Sequence, residues 1–238
     1  GTGSAITFGL QTTAGTYTVV ATITATGCVN NMTGSAVVTI DPLPTAFNVT
    51  GGGSYCSGGT GVAVGLSNST AGVNYQLFIG AFPVGLPVAG IGGAISFGNQ
   101  TTAGSYTVVA TNAITGCTNN MTGSVVVSIN PLPSVFSVTG GGGYCSGGTG
   151  VHIGLSSSTA GVNYQLYFGA TPTGAPVAGT NLPLDFGVFI AVGTYTVSAT
   201  NAFTGCFNNM SSSATVTVNP LPTAYPVTGG GSFCIGGA

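Results

Sequence analysis

The sequence predicts an all-β chain built as tandem β-sandwich repeats of about 89 residues. The first observation behind this is self-similarity: GCTNNMTGSVVVSINPLP at 116–133 returns almost unchanged at 27–44 and at 205–222. A long fixed period marks one structural unit per copy. Second, short runs alternate apolar and polar residues, as in SVVVSI (124–129), where Val127 and Ile129 flank Ser128 and predict one core face and one wet face. Third, clusters of Gly, Asn, Ser and Thr bound these runs, and no helical period appears.

Taken in order, residues 1–44 read as the C-terminal part of a repeat, 45–133 and 134–222 as complete repeats, and 223–238 as the start of another. The natural protein is therefore expected to extend further. Within the first complete repeat the β-rich segments are AFNVTGG (46–52), VAVGLS (62–67), NYQLFIG (74–80), PVGLPVAG (83–90), AISFG (94–98), SYTVVATNA (105–113) and SVVVSI (124–129). That number of short strands in under 90 residues is the count of an immunoglobulin-like sandwich. Pro-Leu-Pro at 42–44, 131–133 and 220–222 closes each copy. Proline cannot donate to a ladder and restricts the residue before it, so these tripeptides read as strand ends and short stiff linkers. Tyr17, Tyr106 and Tyr195 open the penultimate strand of their copies, where such sandwiches carry a structural tyrosine corner. GGGSYCSGGTG (51–61) lacks the GK[ST] ending of a phosphate loop and reads as turns and bulges.

Charge narrows the function classes. Among 238 residues the only acids are Asp41 and Asp185, there is no Lys or Arg, and the single His is His152. Nucleic acid is excluded as an expected partner because phosphate binding needs cations, and polybasic attraction to anionic lipid is excluded with it. Catalysis normally draws on His, Asp, Glu, Lys or an activated Cys, so no enzyme, catalytic residue or cofactor is expected. His152 stands where the preceding copy has Ala63 and reads as a tolerated surface change. Neither Asp recurs between copies, so no calcium or other metal site per repeat is expected. No apolar stretch approaches the roughly 18 residues of a membrane-spanning helix, and GTGSAITFGL lacks the basic start of a signal peptide. Membrane insertion is not expected in this segment, and any targeting segment is expected outside it.

Cys28, Cys56, Cys117, Cys145, Cys206 and Cys234 alternate at separations of 28 and 61. Even number and regular spacing argue for disulfides in an oxidising, extracellular setting, ahead of free thiols or zinc. The residues leave three pairings open: within a repeat at 61, across Pro-Leu-Pro at 28, or a hairpin tip with the first turn of the domain before it, as Cys56 with Cys206. Six sequons, at Asn31, Asn48, Asn68, Asn99, Asn120 and Asn209, are candidate glycan acceptors in a chain rich in chance matches.

YCSGGTGVAVGLSNSTAGVNYQLF, FGNQTTAGSYTVVATNAITGC and VVVSINPLP together resemble the tandem immunoglobulin-like repeats of giant secreted cell-surface adhesins of Bacteroidota, of the gliding and type IX secretion type. The resemblance spans the whole chain through Tyr55, Cys56, Gly58, Tyr75, Gly104, Tyr106, Gly116, Cys117, Pro131 and their equivalents. The near absence of charge departs from an ordinary member. The resemblance implies bacterial cell-surface filaments, and it favours the within-repeat disulfides Cys56–Cys117 and Cys145–Cys206.

The expected function is a structural repeat segment of an extracellular cell-surface filament or adhesin stalk, partnered by neighbouring repeats and by lateral self-association through strand edges that lack charged gatekeepers. The alternative is a glycan- or cell-binding adhesive module using exposed aromatics, Asn and Thr, with the variable stretch 178–193 as its surface. A flat Thr array for ice or mineral, prompted by TYTVVATITATG (16–27), is a weaker third reading.

Overall fold

The computed structural model describes residues 1–232, 234 and 235, and all regular structure among them is β. Part of the expected further repeat, 223–238, thus lies outside the described residues. The chain divides into two compact units, Gly1–Tyr55 with Thr60–Ser128, and Cys56–Gly59 with Ile129–Ala238.

The first complete repeat contains β5 (Val49–Gly51), β6 (Gly53–Cys56), β7 (Val62–Leu66), β8 (Val73–Ile79), β9 (Phe82–Ala89), β10 (Ile95–Gln100), β11 (Gly104–Asn112), β12 (Thr118–Asn120) and β13 (Val125–Asn130). One sheet runs β10-β7-β5 and the other β6-β13-β11-β8-β9, with β12 folded back on β11. Every segment expected from alternation lies on one of these strands. The core is filled from both sheets, by Val64 and Leu66 of β7, Ile95 of β10, Tyr75 and Leu77 of β8, Tyr106 and Val108 of β11 and Val127 of β13. Two sheets closing on one core make an immunoglobulin-like sandwich.

The second complete repeat follows the same plan: β14 (Val138–Gly140), β15 (Gly142–Cys145), β16 (Val151–Leu155), β17 (Val162–Phe168), β18 (Thr171–Ala178), β19 (Leu184–Phe189), β20 (Gly193–Asn201), β21 (Phe207–Asn209) and β22 (Ala214–Asn219). Its sheets are β14-β16-β19 and β15-β22-β20-β17-β18. Residues 1–44 hold only β1 (Gly15–Tyr17) paired with β4 (Ala36–Val38), and β2 (Val20–Thr22) paired with β3 (Val29–Asn31). They contain no counterpart of β7–β9 to cover the inner face. Met32 is accordingly 42% exposed, against 6% for Met121 and 7% for Met210.

The structure departs from the expectation in two places. The Gly-rich stretch is more than turns: Gly53–Cys56 forms β6, in the opposite sheet from β5. Gly51 and Gly52, at φ of 89° and 72°, carry the chain from one sheet to the other. A Cβ on Gly51 would stand 2.1 Å from the Ala63 carbonyl oxygen, so no other residue fits that crossing. Ile129, expected on the core face, is solvent-exposed. The register pairs Gly104, the first residue of β11, with Val127, so Ile129 runs past the end of its neighbour.

Candidate functional site

The cysteines carry the chemistry that this inventory allows. Cys56 closes β6, and the Ser57 amide next to it donates to the Asn130 carbonyl at the C-terminal end of β13. Cys206 lies in the hairpin between β20 and β21, where its carbonyl accepts from the Asn201 amide at 2.8 Å. These two residues form a disulfide with Cα atoms 5.5 Å apart and 150 positions apart in sequence, both falling within the second compact unit. Cys206 is fully buried. Cys28, Cys117, Cys145 and Cys234 carry free thiols.

This corrects the within-repeat pairing implied by the resemblance. In the second repeat, β15 lies parallel to β22 with Cys145 beside Asn219, and β22 lies antiparallel to β20 with Val216 beside Gly193. Cys145 is therefore at the Gly193 end of β20, whereas Cys206 follows the Asn201 end. Nine residues of β20 separate them, about 26 Å of strand at roughly 3.3 Å per residue. A disulfide tolerates no more than about 7 Å between Cα atoms. The same ladder positions keep Cys56 from Cys117, because the Val127–Gly104 pair sets Cys56 at the N-terminal end of β11. Nor do the cysteines replace the usual pin between the two sheets. Two residues beyond Tyr106, that interior position holds the buried Val108.

Beside the bridge runs a shallow groove of about 400 Å³, lined among others by Cys56, Gly58, Leu132 and Phe207. Leu132 belongs to the middle Pro-Leu-Pro, whose last carbonyl, that of Pro133, accepts from the Asn208 side chain at 3.0 Å. The Asn119 side chain does the same for Pro44 at 2.7 Å. Sequence reasoning missed these anchors. The signal was present in the Asn-Asn pair that follows each hairpin cysteine, whose second member it took as a sequon. All six sequon asparagines are exposed.

Each of the three tyrosines expected at a corner donates its hydroxyl to the carbonyl four residues upstream: Tyr17 to Thr13 at 2.9 Å, Tyr106 to Thr102 at 2.8 Å and Tyr195 to Ala191 at 3.1 Å. Burial pushes the Tyr106 and Tyr195 phenols above the usual range. His152 and Asp185 meet across β16 and β19 at 2.9 Å, both with exposed side chains. The Gly187 amide, donating to the Asp185 carboxylate at 2.8 Å, is the main cause of a carboxyl held below its ordinary pKa. Ser96 makes the equivalent bond to the Gly98 amide in the first repeat, so Asp185 supports the same bulge. Asp41 is exposed. Among the described residues no three His, Cys, Asp or Glu side chains gather into a metal-binding group.

No family model and no curated protein matches the chain. Several solved structures do. A mouse coronavirus receptor-binding domain complexed with its murine receptor is 13% identical, covering 72% of this chain and 100% of that one at a TM-score of 0.40. Murine CEACAM1b is 13% identical, with 70% and 96% covered and a TM-score of 0.34. The chicken CNTN1 FN1–FN3 domains are 12% identical, with 77% and 68% covered and a TM-score of 0.33. At such identities the likeness concerns the fold alone, and the sandwich assignment stands on the strand order given above.

Proposed function

We propose that this chain is a structural segment of an extracellular cell-surface filament or adhesin stalk, stapled from one repeat to the next by a disulfide. The observation that carries the reading is the Cys56–Cys206 bridge, which joins one sequence repeat to the next across Pro-Leu-Pro. Such bonds persist in oxidising compartments, which supports an extracellular setting. Without Lys or Arg the chain offers trypsin no cleavage site, and with two acids its stability responds little to salt. The finer assignment, to surface proteins of the Bacteroidota adhesin kind, is part of the same proposal and is supported by the repeated motifs themselves.

The mechanical consequence is specific. Tension applied to the ends of an oxidised chain passes through the bridge and bypasses the loop it closes, which holds most of both complete sandwiches. Single-molecule pulling should release about 500 Å less contour length from the oxidised than from the reduced chain, at roughly 3.4 Å per residue over the 150-residue separation. Equal contour lengths would refute the staple.

A second reading, direct adhesion to a glycan or cell, is favoured by one observation. The variable stretch 178–193 presents Leu182, Val188, Ile190 and Val192 to solvent. Loss of cell or glycan-array binding in Leu182→Asn and Ile190→Asn variants that keep the parent's melting temperature would support it.

A further inference from the structure

The bridge brings together residues that lie far apart in sequence. Around the groove of about 400 Å³ beside Cys56, the turn residues Ser57, Gly58 and Gly59 meet Leu132 of the middle Pro-Leu-Pro and Phe207 and Asn209 of β21. All of them belong to the second compact unit. β21 is three residues long, so alternation sets Phe207 and Asn209 on one face, both exposed, while half-buried Asn208 between them is committed to the Pro133 carbonyl. Phe207 also departs from its copies. Core positions repeat without change, Tyr106 as Tyr195, Val108 as Val197 and Ala110 as Ala199, whereas Phe207 stands where the earlier copies have Thr118 and Val29. Its ring is 66% exposed, with Leu132 39% exposed on the other wall. Thr serves the first repeat at this position, so the fold does not require the ring, and its apolar face is open to a ligand.

We propose that this groove binds a neutral saccharide. A pyranose packs its C–H face on the Phe207 ring, and its hydroxyls bond to the Asn209 amide, which both donates and accepts, and to the Ser57 hydroxyl. The chemistry of the lining selects this ligand class. None of the side chains around the groove is ionisable, and a chain without Lys or Arg offers no strong partner to the carboxylate or sulfate of an acidic sugar. The volume falls within the range of small-ligand sites, roughly 300–1,000 Å³. A protein partner needs about 800 Å² on each side, which a groove of this size does not supply. The site is separate from the exposed stretch 178–193, and the Cys56–Cys206 bond is the covalent tie between its two walls.

The test screens the oxidised full chain on an array of neutral gluco-, manno-, galacto- and chito-oligosaccharides, with sialylated and sulfated glycans beside them, and titrates the hits by calorimetry. The expected result is binding to a neutral oligosaccharide that Phe207→Thr weakens about tenfold or more, the loss of one buried ring face. Phe207→Thr installs the side chain that the first repeat carries, so it should keep the parent's melting temperature. Phe203→Ile, at a 90% exposed ring that does not line the groove, should leave the affinity unchanged, as should Leu182→Asn and Ile190→Asn. Reduction of the bridge should abolish binding. The proposal is overturned by an array with no neutral hit, by preference for the charged glycans, or by binding that survives Phe207→Thr or reduction. It is equally overturned if Phe207→Thr changes only the sedimentation of the chain, which would make the groove a contact between copies. None of these failures touches the stalk reading, which rests on the bridge itself.

Discussion

Tyr106 shows how much of each sandwich hangs on single side chains. Its ring is buried between the sheets, and its hydroxyl reaches back to Thr102, tying the loop before β11 to the core. Tyr106→Phe removes the hydrogen bond of a buried phenol and should destabilise the first unit by about 1 kcal/mol in denaturant unfolding. Tyr17→Phe removes a bond made at the surface, which water replaces, and should change stability far less. Asp185 supplies a pH test. Its folded pKa is depressed, so its contribution is fully present above the unfolded carboxylate value near 3.9 and disappears as pH falls through the lower folded value. Asp185→Asn should therefore lower the melting temperature slightly at neutral pH and leave it unchanged at the acid end. A gap that widened in acid would contradict the assigned role. Both groups of the His152–Asp185 pair are exposed, and the effect is correspondingly small.

At the level of the element, the crossing from β5 to β6 is the most constrained feature. Gly51→Ala places a Cβ against the Ala63 carbonyl at a positive φ and should cost well over about 2 kcal/mol, read by thermal melting. Gly92→Ala, at a similar φ but in open space, should cost nearer 1 kcal/mol. This crossing also marks where the sequence was least readable. The alternation of NYQLFIG and SYTVVATNA betrays β8 and β11 because one face of each is buried and the other wet. β6 carries three glycines just ahead of or within it and no alternation, and β12 is three residues long, so neither produces a pattern. The edge strands β9 and β18 need no charged gatekeeper. Pro83 and Pro87, and Pro172 and Pro176, remove ladder donors from them, which weakens the expectation of strand-edge assembly there.

For the whole molecule, the disulfide decides which description holds. The even cysteine count and the period were legible from sequence, but spacing says nothing about which end of a sandwich a cysteine occupies. That is set by register, through pairs such as Cys145 with Asn219 and Gly193 with Val216. Closing a loop of about 150 residues lowers the entropy of the unfolded chain and is worth up to about 5 kcal/mol. Cys56→Ser should therefore lower the unfolding midpoint under oxidising conditions, by the amount reduction lowers it for the parent. Cys117→Ser should not, because its thiol is free.

The most direct test of the central claim is a non-reducing chymotryptic peptide map of the oxidised monomer. The account predicts one linked pair, Cys56 with Cys206, and free thiols elsewhere. Recovery of Cys56 linked to Cys117, or of Cys145 linked to Cys206, would mean that each repeat is stapled to itself, and the covalent continuity from repeat to repeat on which the stalk reading rests would be gone.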